Sequence, residues 1–185
     1  MVGSYPVRAQ LIEGNIIVWD IEKGRELYKN GFYGKPLGIP KPKTPDFNAP
    51  LILDLIEAVY LVEKNILSIF QGDKKLTIEE LIEYGTKNYE LFLIKYLVYK
   101  DLRDRGFIVT PGIKFGSDFA VYKYGPGIDH APFIVQVKKP EEEISALEII
   151  RAGRLATTVK KHFTLAIPNL STKEVDYLIF SWWRP

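Results

Sequence analysis

Tyr96-Leu97-Val98-Tyr99-Lys100-Asp101-Leu102-Arg103-Asp104-Arg105-Gly106-Phe107-Ile108-Val109 is the stretch where helical spacing gives way to strand. Aromatic and aliphatic residues recur at helical intervals as far as Arg105, Gly106 supplies a stop, and β-prone residues follow. The spacing predicts one long helix over about 89–105, whose aromatics are packing groups. Strands are expected next at 107–110, 113–115, 118–122 and 133–138. Pro140-Glu141-Glu142-Glu143 then puts acids where they suit the N-terminal dipole of a helix running to Lys161. Strands at 163–167 and 175–182 finish the chain. A mostly β sheet with a helix on each side is a compact α/β arrangement.

Upstream of that stretch the pattern is different. Val7–Ile12 and 15–20 are β-rich runs joined by Glu13-Gly14, a hairpin signal. A short helix is expected over 22–29. Four prolines and two glycines in Gly34-Lys35-Pro36-Leu37-Gly38-Ile39-Pro40-Lys41-Pro42-Lys43-Thr44-Pro45 argue against regular structure there. Helical spacing returns over 51–65, a strand is expected at 67–70, and Thr77 with Glu80 forms a capping box for a helix to about Tyr84. The expected organisation is a small N-terminal α+β domain (1–87) with a Pro/Lys-rich insertion loop (34–48), followed by a C-terminal domain (88–185).

Composition narrows the function classes. A chain of 185 residues has room for a real core. With a net charge of only +2, any nucleic-acid contact must come from a local patch or from assembly. The absence of cysteine excludes disulfides and thiolate metal sites. Two histidines without metal-ligand spacing argue against a zinc or iron centre, so no metal or cofactor is expected. No apolar run approaches a membrane span and the N-terminus has no signal-like core, so a soluble, cytoplasmic chain is expected.

The run Tyr96–Val109, followed by Gly112-Ile113-Lys114-Phe115-Gly116-Ser117-Asp118-Phe119 and Tyr122, resembles the signature of the archaeal tRNA-splicing endonucleases, catalytic subunits of crenarchaeal type. Arg154-Leu155-Ala156-Thr157-Thr158-Val159-Lys160-Lys161 resembles that family's lysine helix. The resemblance implies a restriction-endonuclease-like C-terminal nuclease domain with a central mixed sheet flanked by helices. It also implies removal of introns from precursor tRNA at bulge-helix-bulge sites. In that scheme Tyr122 takes the proton from the 2′-hydroxyl, Lys161 stabilises the pentacovalent phosphorane, and His130 protonates the departing 5′-oxygen. The products are a 2′,3′-cyclic phosphate and a 5′-hydroxyl, with no metal required. A free phenol ionises only near pH 10, and a nearby ammonium favours phenolate.

The resemblance also makes Arg154 one jaw of a cation–π clamp on a flipped bulge nucleotide. Seven residues separate Arg154 from Lys161, two helical turns, which predicts one shared face. Lys41 and Lys43, on the proline-stiffened loop with Lys35, are candidate phosphate contacts. The family needs two sites per substrate, so assembly is implied. The loop 168–174 carries no acidic tip of the kind self-sufficient homotetramers use. A heterotetramer of two catalytic and two separate structural chains is therefore expected. Val175–Trp183 is apolar enough to add to a partner's sheet.

Each residue has a plainer reading. A tyrosine ending a strand is usually half-buried with a wet hydroxyl, a loop histidine is usually solvated, and a lysine ending a helix usually serves the dipole. Arg151 and Arg154 could simply neutralise Glu148. Three function classes thus stand beside the first: a non-catalytic structural subunit, an RNA-binding module, and a metal-dependent DNA nuclease using Asp118 with Gln136-Val137-Lys138.

Overall fold

The computed structural model describes residues 6–180, apart from 40, 41, 43, 129 and 159. It forms two compact units, Met1–Phe92 and Leu93–Pro185. Both are mixed α+β, as the sequence predicts. No helix among the described residues is long and apolar enough to cross a membrane.

The first unit begins with the expected hairpin of β1 (Val7–Ile12) and β2 (Asn15–Val18), turned by Glu13 and Gly14 at φ 47° and 83°. Positive φ at both central residues matches the right-handed strand twist. Helix α1 (Ile21–Gly31) starts on Asp20, whose side chain accepts from the Lys23 amide. The insertion loop is not wholly irregular: β3 (Lys35–Pro36) pairs antiparallel with β4 (Leu51–Leu53).

The helix expected over 51–65 is in fact a strand followed by a shorter helix, α2 (Leu55–Glu63). Asp54 makes the break, because its carboxylate caps the Ile56 amide at 2.9 Å while Glu57 reaches back to the Asp54 amide at 3.2 Å. This reciprocal cap ends the extended run and starts the helix. The same Glu57 carboxylate accepts from the Gly34 amide at 3.1 Å, tying the start of the insertion loop to α2. Strands β5 (Leu67–Gln71) and β6 (Lys74–Lys75) and helix α3 (Ile78–Asn88) complete the unit, α3 on the predicted Thr77/Glu80 box. The strand order is β3-β4-β2-β1-β5-β6, with β1 and β5 parallel. Alternate residues Ala9, Leu11, Ile16, Val18, Leu67 and Ile69 are buried on one face beneath α1 and α2.

The long helix expected over about 89–105 forms as α4 (Phe92–Asp104), starting three residues later than expected. The chain breaks between α3 and α4, with Leu91 at φ 57°. The Phe92 ring occupies the space beside Gly85, where an added Cβ would come within 2.7 Å of it, so the close α3 contact needs a glycine there. Beyond α4 come β7 (Ile108–Pro111), β8 (Phe119–Tyr122) and β9 (Phe133–Val137). The strand expected at 113–115 is a single 3-10 turn between Gly112 and Gly116. Helix α5 (Ala146–Thr158) starts six residues later than expected and ends before Lys161. Its cap is Ser145, whose Oγ accepts from the Glu148 amide at 3.2 Å while Glu148 returns to the Ser145 amide at 2.9 Å; Glu141–Glu143 stay outside. Strands β10 (His162–Asn169) and β11 (Glu174–Phe180) close the sheet; Trp182 and Trp183 lie outside the described residues.

The second sheet runs β11-β10-β9-β8-β7, with only β9 and β10 parallel. Helix α5 is the crossover that a parallel pair requires. It covers Ile134, Phe163 and Leu165. Helix α4 lies against the other face, where the Tyr99 and Phe119 rings are 5.9 Å apart and buried Arg103 donates to the Val109 carbonyl at 3.0 Å. Asp101 of α4 accepts from Tyr177 of β11 at 2.7 Å and from Arg105 at 2.8 Å. Burial and the Asp101 carboxylate push the Tyr177 phenol far above its ordinary range, so it stays a donor at every physiological pH.

Replacing Asp54 by Ala is expected to cost about 1–2 kcal/mol, seen as a lower denaturant midpoint at unchanged m-value. No change in midpoint would mean that α2 does not depend on this cap.

Candidate active site

Three chain segments meet at one end of the second sheet. Strand β8 ends there at Tyr122, and β9 and β10 both begin there. Val121 pairs with Phe133 and Phe133 with His162, so Tyr122 and Lys161 flank Pro132 from its two sides, one step beyond the ladder. Their backbones are two strand spacings apart, about 10 Å. Strand alternation puts Tyr122 on the face of Ala120 and Ile134, the one covered by α5, and extends that face from Phe163 to Lys161.

The connection from β8 to β9 folds back at Gly125-Pro126-Gly127. Ile128 N–H donates to the Gly125 carbonyl at 3.1 Å, with Pro126 and Gly127 at the corner and Gly127 at φ 85°. A positive φ at the third turn position is where glycine carries no Cβ penalty. His130 follows, exposed, and Ala131 after it is 1% exposed.

Lys161 reaches this segment by a route the sequence did not show. Helix α5 ends in a Schellman reversal: the Lys161 amide donates to the Ala156 carbonyl at 2.7 Å, the Lys160 amide to Thr157 at 3.0 Å, and Lys160 has φ 55°. Lys161 is therefore past the helix, and the expectation that it shares a helical face with Arg154 is wrong. The half-buried Lys161 side chain then donates from Nζ to the Ala131 carbonyl at 2.7 Å. One residue on, the His162 amide donates to the Pro132 carbonyl at 2.8 Å. Two consecutive carbonyls after His130 are thus bonded to two consecutive residues at the start of β10. His162 stacks loosely on Phe133, ring centroids 5.9 Å apart, rather than joining His130.

Arg154 is exposed on α5, and its carbonyl accepts from Thr158 Oγ1 at 2.9 Å. Glu148 is engaged by Ser145 and lies 3.9 Å from Lys138, and no carboxylate among the described residues pairs with Arg154. The neutralising role suggested for Arg154 is not seen. Lys41 and Lys43 lie outside the described residues. A groove of about 360 Å³ between α5 and the sheet is lined by Ile134, Phe163 and Leu155, but by none of Tyr122, His130 and Lys161.

Asp118 has a structural position. Its Oδ1 is 3.0 Å from Lys95 Nζ, both side chains largely buried, and its Oδ2 accepts from the Val137 amide at 2.8 Å. Both carboxylate oxygens are committed, one to an ammonium. Lys138 in turn is paired with Glu142 at 2.5 Å. An Asp/Gln/Lys cation site would have to break both ion pairs. Among the described residues, no cluster of three or more His, Asp or Glu could hold a metal ion. Neither the Lys95 partner nor the Ala131 carbonyl carries a local sequence signal, because both contacts join residues distant along the chain.

The arrangement is an α+β chain with its candidate groups at one end of the second sheet, and similarity to known proteins gives it a family. Residues 7–82 match the N-terminal domain of tRNA intron endonucleases, and residues 92–177 match the catalytic C-terminal domain. The chain belongs to the tRNA intron endonuclease family. Among its relatives is the tRNA-splicing endonuclease of Hyperthermus butylicus, 44% identical over 97% of this chain and 99% of the relative. Those of Sulfurisphaera tokodaii (44%, covering 94% and 97%) and Sulfolobus acidocaldarius (40%, covering 95% and 98%) are similar throughout as well.

Asp118→Ala is expected to destabilise the fold by about 2–4 kcal/mol by stranding the Lys95 ammonium. At temperatures where the variant is folded, cleavage should persist. A variant as stable as the parent but inactive would instead give Asp118 a direct chemical role.

Proposed function

We propose that this endonuclease of tRNA introns is the catalytic subunit of its assembly. It cuts precursor tRNA at bulge-helix-bulge junctions by a metal-independent transesterification in which Tyr122, His130 and Lys161 act together. Tyr122, as phenolate, takes the proton of the ribose 2′-hydroxyl and becomes a phenol, while the 2′-oxygen attacks the adjacent phosphorus. Lys161 stabilises the extra negative charge on the phosphorane oxygens. His130 gives its proton to the 5′-oxygen as the P–O bond breaks. The proton count closes on a 2′,3′-cyclic phosphate and a 5′-hydroxyl.

One observation carries this reading: the 2.7 Å hydrogen bond from Lys161 to the carbonyl beside His130, at the sheet end where β8 finishes on Tyr122. Acid–base groups contribute about 10²–10⁴-fold each, and a positioned cation on a developing charge about 10²–10³-fold. Arg154, exposed and without an ion pair among the described residues, fits one jaw of a stacking clamp on a bulge base. Lys41 and Lys43 are proposed to meet phosphates beside the cut.

The assembly is proposed to contain two such chains and two separate structural chains, acting in the cytoplasm. Support comes from the turn between β10 and β11. Only residues 170–173 separate the strands, Asn169 Oδ1 accepts from the Ser171 and Thr172 amides, and Lys173 is the sole charged residue. That turn offers no acidic tip for a neighbouring copy. Among the described residues β11 is hydrogen-bonded to β10 alone, and Leu178 and Ile179 are 50% and 57% exposed, which supports an edge open to another chain. The DNA-nuclease reading is disfavoured by the ion pairs of Asp118 and Lys138.

The test is cleavage of a bulge-helix-bulge RNA in excess EDTA. Cyclic-phosphate ends are expected, with single-turnover rates reduced about 10²-fold or more in His130→Ala and Lys161→Ala. Strict magnesium dependence, or full rates in either variant, would overturn the assignment. Arg154→Ala should raise KM for bulged precursor by about 5–30-fold, the loss of one cation–π contact. It should leave hydrolysis of a minimal dinucleotide substrate unchanged, and equal losses on both substrates would remove the clamp.

A further inference from the structure

The sheet of the first unit has a face turned away from α1 and α2, and its strands bring cations to it without acids. Its six strands contain Arg8, Lys35, Lys74 and Lys75 but no Asp or Glu. The acids of this unit sit on helices, caps and turns, as with Glu22, Asp54, Glu57 and Glu80. Strand pairing then aligns one row across all six strands on the face away from α1 and α2. Lys35 is opposite Ile52, Ile52 opposite Ile17, Ile17 opposite Gln10, Gln10 opposite Phe70, and Phe70 opposite Lys75. The row has a lysine at each end and spans five strand spacings, about 24 Å.

Two flat groups stand beside the middle of that row. Trp19, half exposed, donates from Nε1 to Gln10 Oε1 at 2.9 Å, which holds the indole against the sheet. On the other side of Gln10, the Arg8 guanidinium lies 4.1 Å from the centre of the Phe70 ring. No carboxylate among the described residues forms an ion pair with Arg8, Lys35 or Lys75. Lys74, which points the other way, is the one strand cation paired here, with Glu80.

We propose that this open face binds RNA. An indole and an arginine-capped phenyl ring offer two stacking surfaces, and Arg8, Lys35 and Lys75 meet the phosphates on either side. Unpaired bases stack on aromatic and guanidinium planes whatever their sequence, while flanking cations track the backbone. The absence of acids on the strands selects a polyanion over a protein surface of mixed charge. The proposal rests on the reading of the chain as an RNA-cutting enzyme and adds a second binding surface to it.

The experiment uses the full chain in its active assembly, with an intron-containing precursor tRNA as the probe. The variants are Arg8→Glu/Lys75→Glu, Lys35→Glu/Lys75→Glu and Trp19→Ala. The two charge reversals are expected to weaken binding by about tenfold or more near 0.1 M salt and to lower the salt slope by about one for each phosphate no longer neutralised. Trp19→Ala should weaken binding about fivefold or more with the slope unchanged, as removal of a stacking surface does. Single-turnover cleavage at saturating RNA should stay within about twofold of the parent, because these residues make uniform binding contacts. The Lys35/Lys75 pair leaves the Arg8–Phe70 stack intact, so it reports on binding even if the other double variant is unstable. Unchanged affinity and slope in both reversals would overturn the proposal. Loss of assembly mass in native mass spectrometry would overturn it too, making the face a protein interface. An unmodified assembly that neither binds nor cuts the precursor would instead overturn the functional reading beneath it.

Discussion

The hydrogen bond from Lys161 to the Ala131 carbonyl is the constraint on which the candidate site depends. A backbone carbonyl holds the Lys161 ammonium at a fixed place at the end of the sheet. The bond also restrains the backbone of the residue after His130. Lys161 gets there because α5 reverses through Lys160 in a left-handed conformation that an L-residue adopts only at some cost in strain. Strain of this kind persists where the surroundings over-determine it, and here two backbone hydrogen bonds and the side-chain contact do so.

Behind that anchor, buried or half-buried polar groups hold the sheet rather than react. Asp118 joins Lys95 to the end of β9, and Asp101 joins Arg105 and Tyr177, linking α4 to the last strand. Carboxylates committed in this way suit a reaction that relies on an imidazole and an ammonium.

In the first unit the physics is one of segregation. A near-neutral chain conceals a strand set with four cations and no acids, because the acids are spent on helix caps and first turns, where backbone amides attract them. Capping thus sorts charge between the layers of an α+β unit and leaves the open sheet face positive.

Local signals in the sequence were enough for the Glu13-Gly14 hairpin, the Thr77/Glu80 box, most of the strands and the α+β class, since each depends on residues within a few positions. The candidate trio was legible only through its resemblance to a family, because nothing in the spacing of residues 122, 130 and 161 ties them to one another. Helical periodicity misled where a cap or a left-handed residue interrupts it, at Asp54 between β4 and α2 and at Lys160 after α5, whereas at Leu91 it only shifted the start of α4 by three residues. Tertiary structure alone decided that Lys161 leaves the helix to meet Ala131, that Asp118 belongs to Lys95, and that six separated strand residues form one row. Those outcomes depend on register and on contacts between distant segments, and a one-dimensional pattern carries neither.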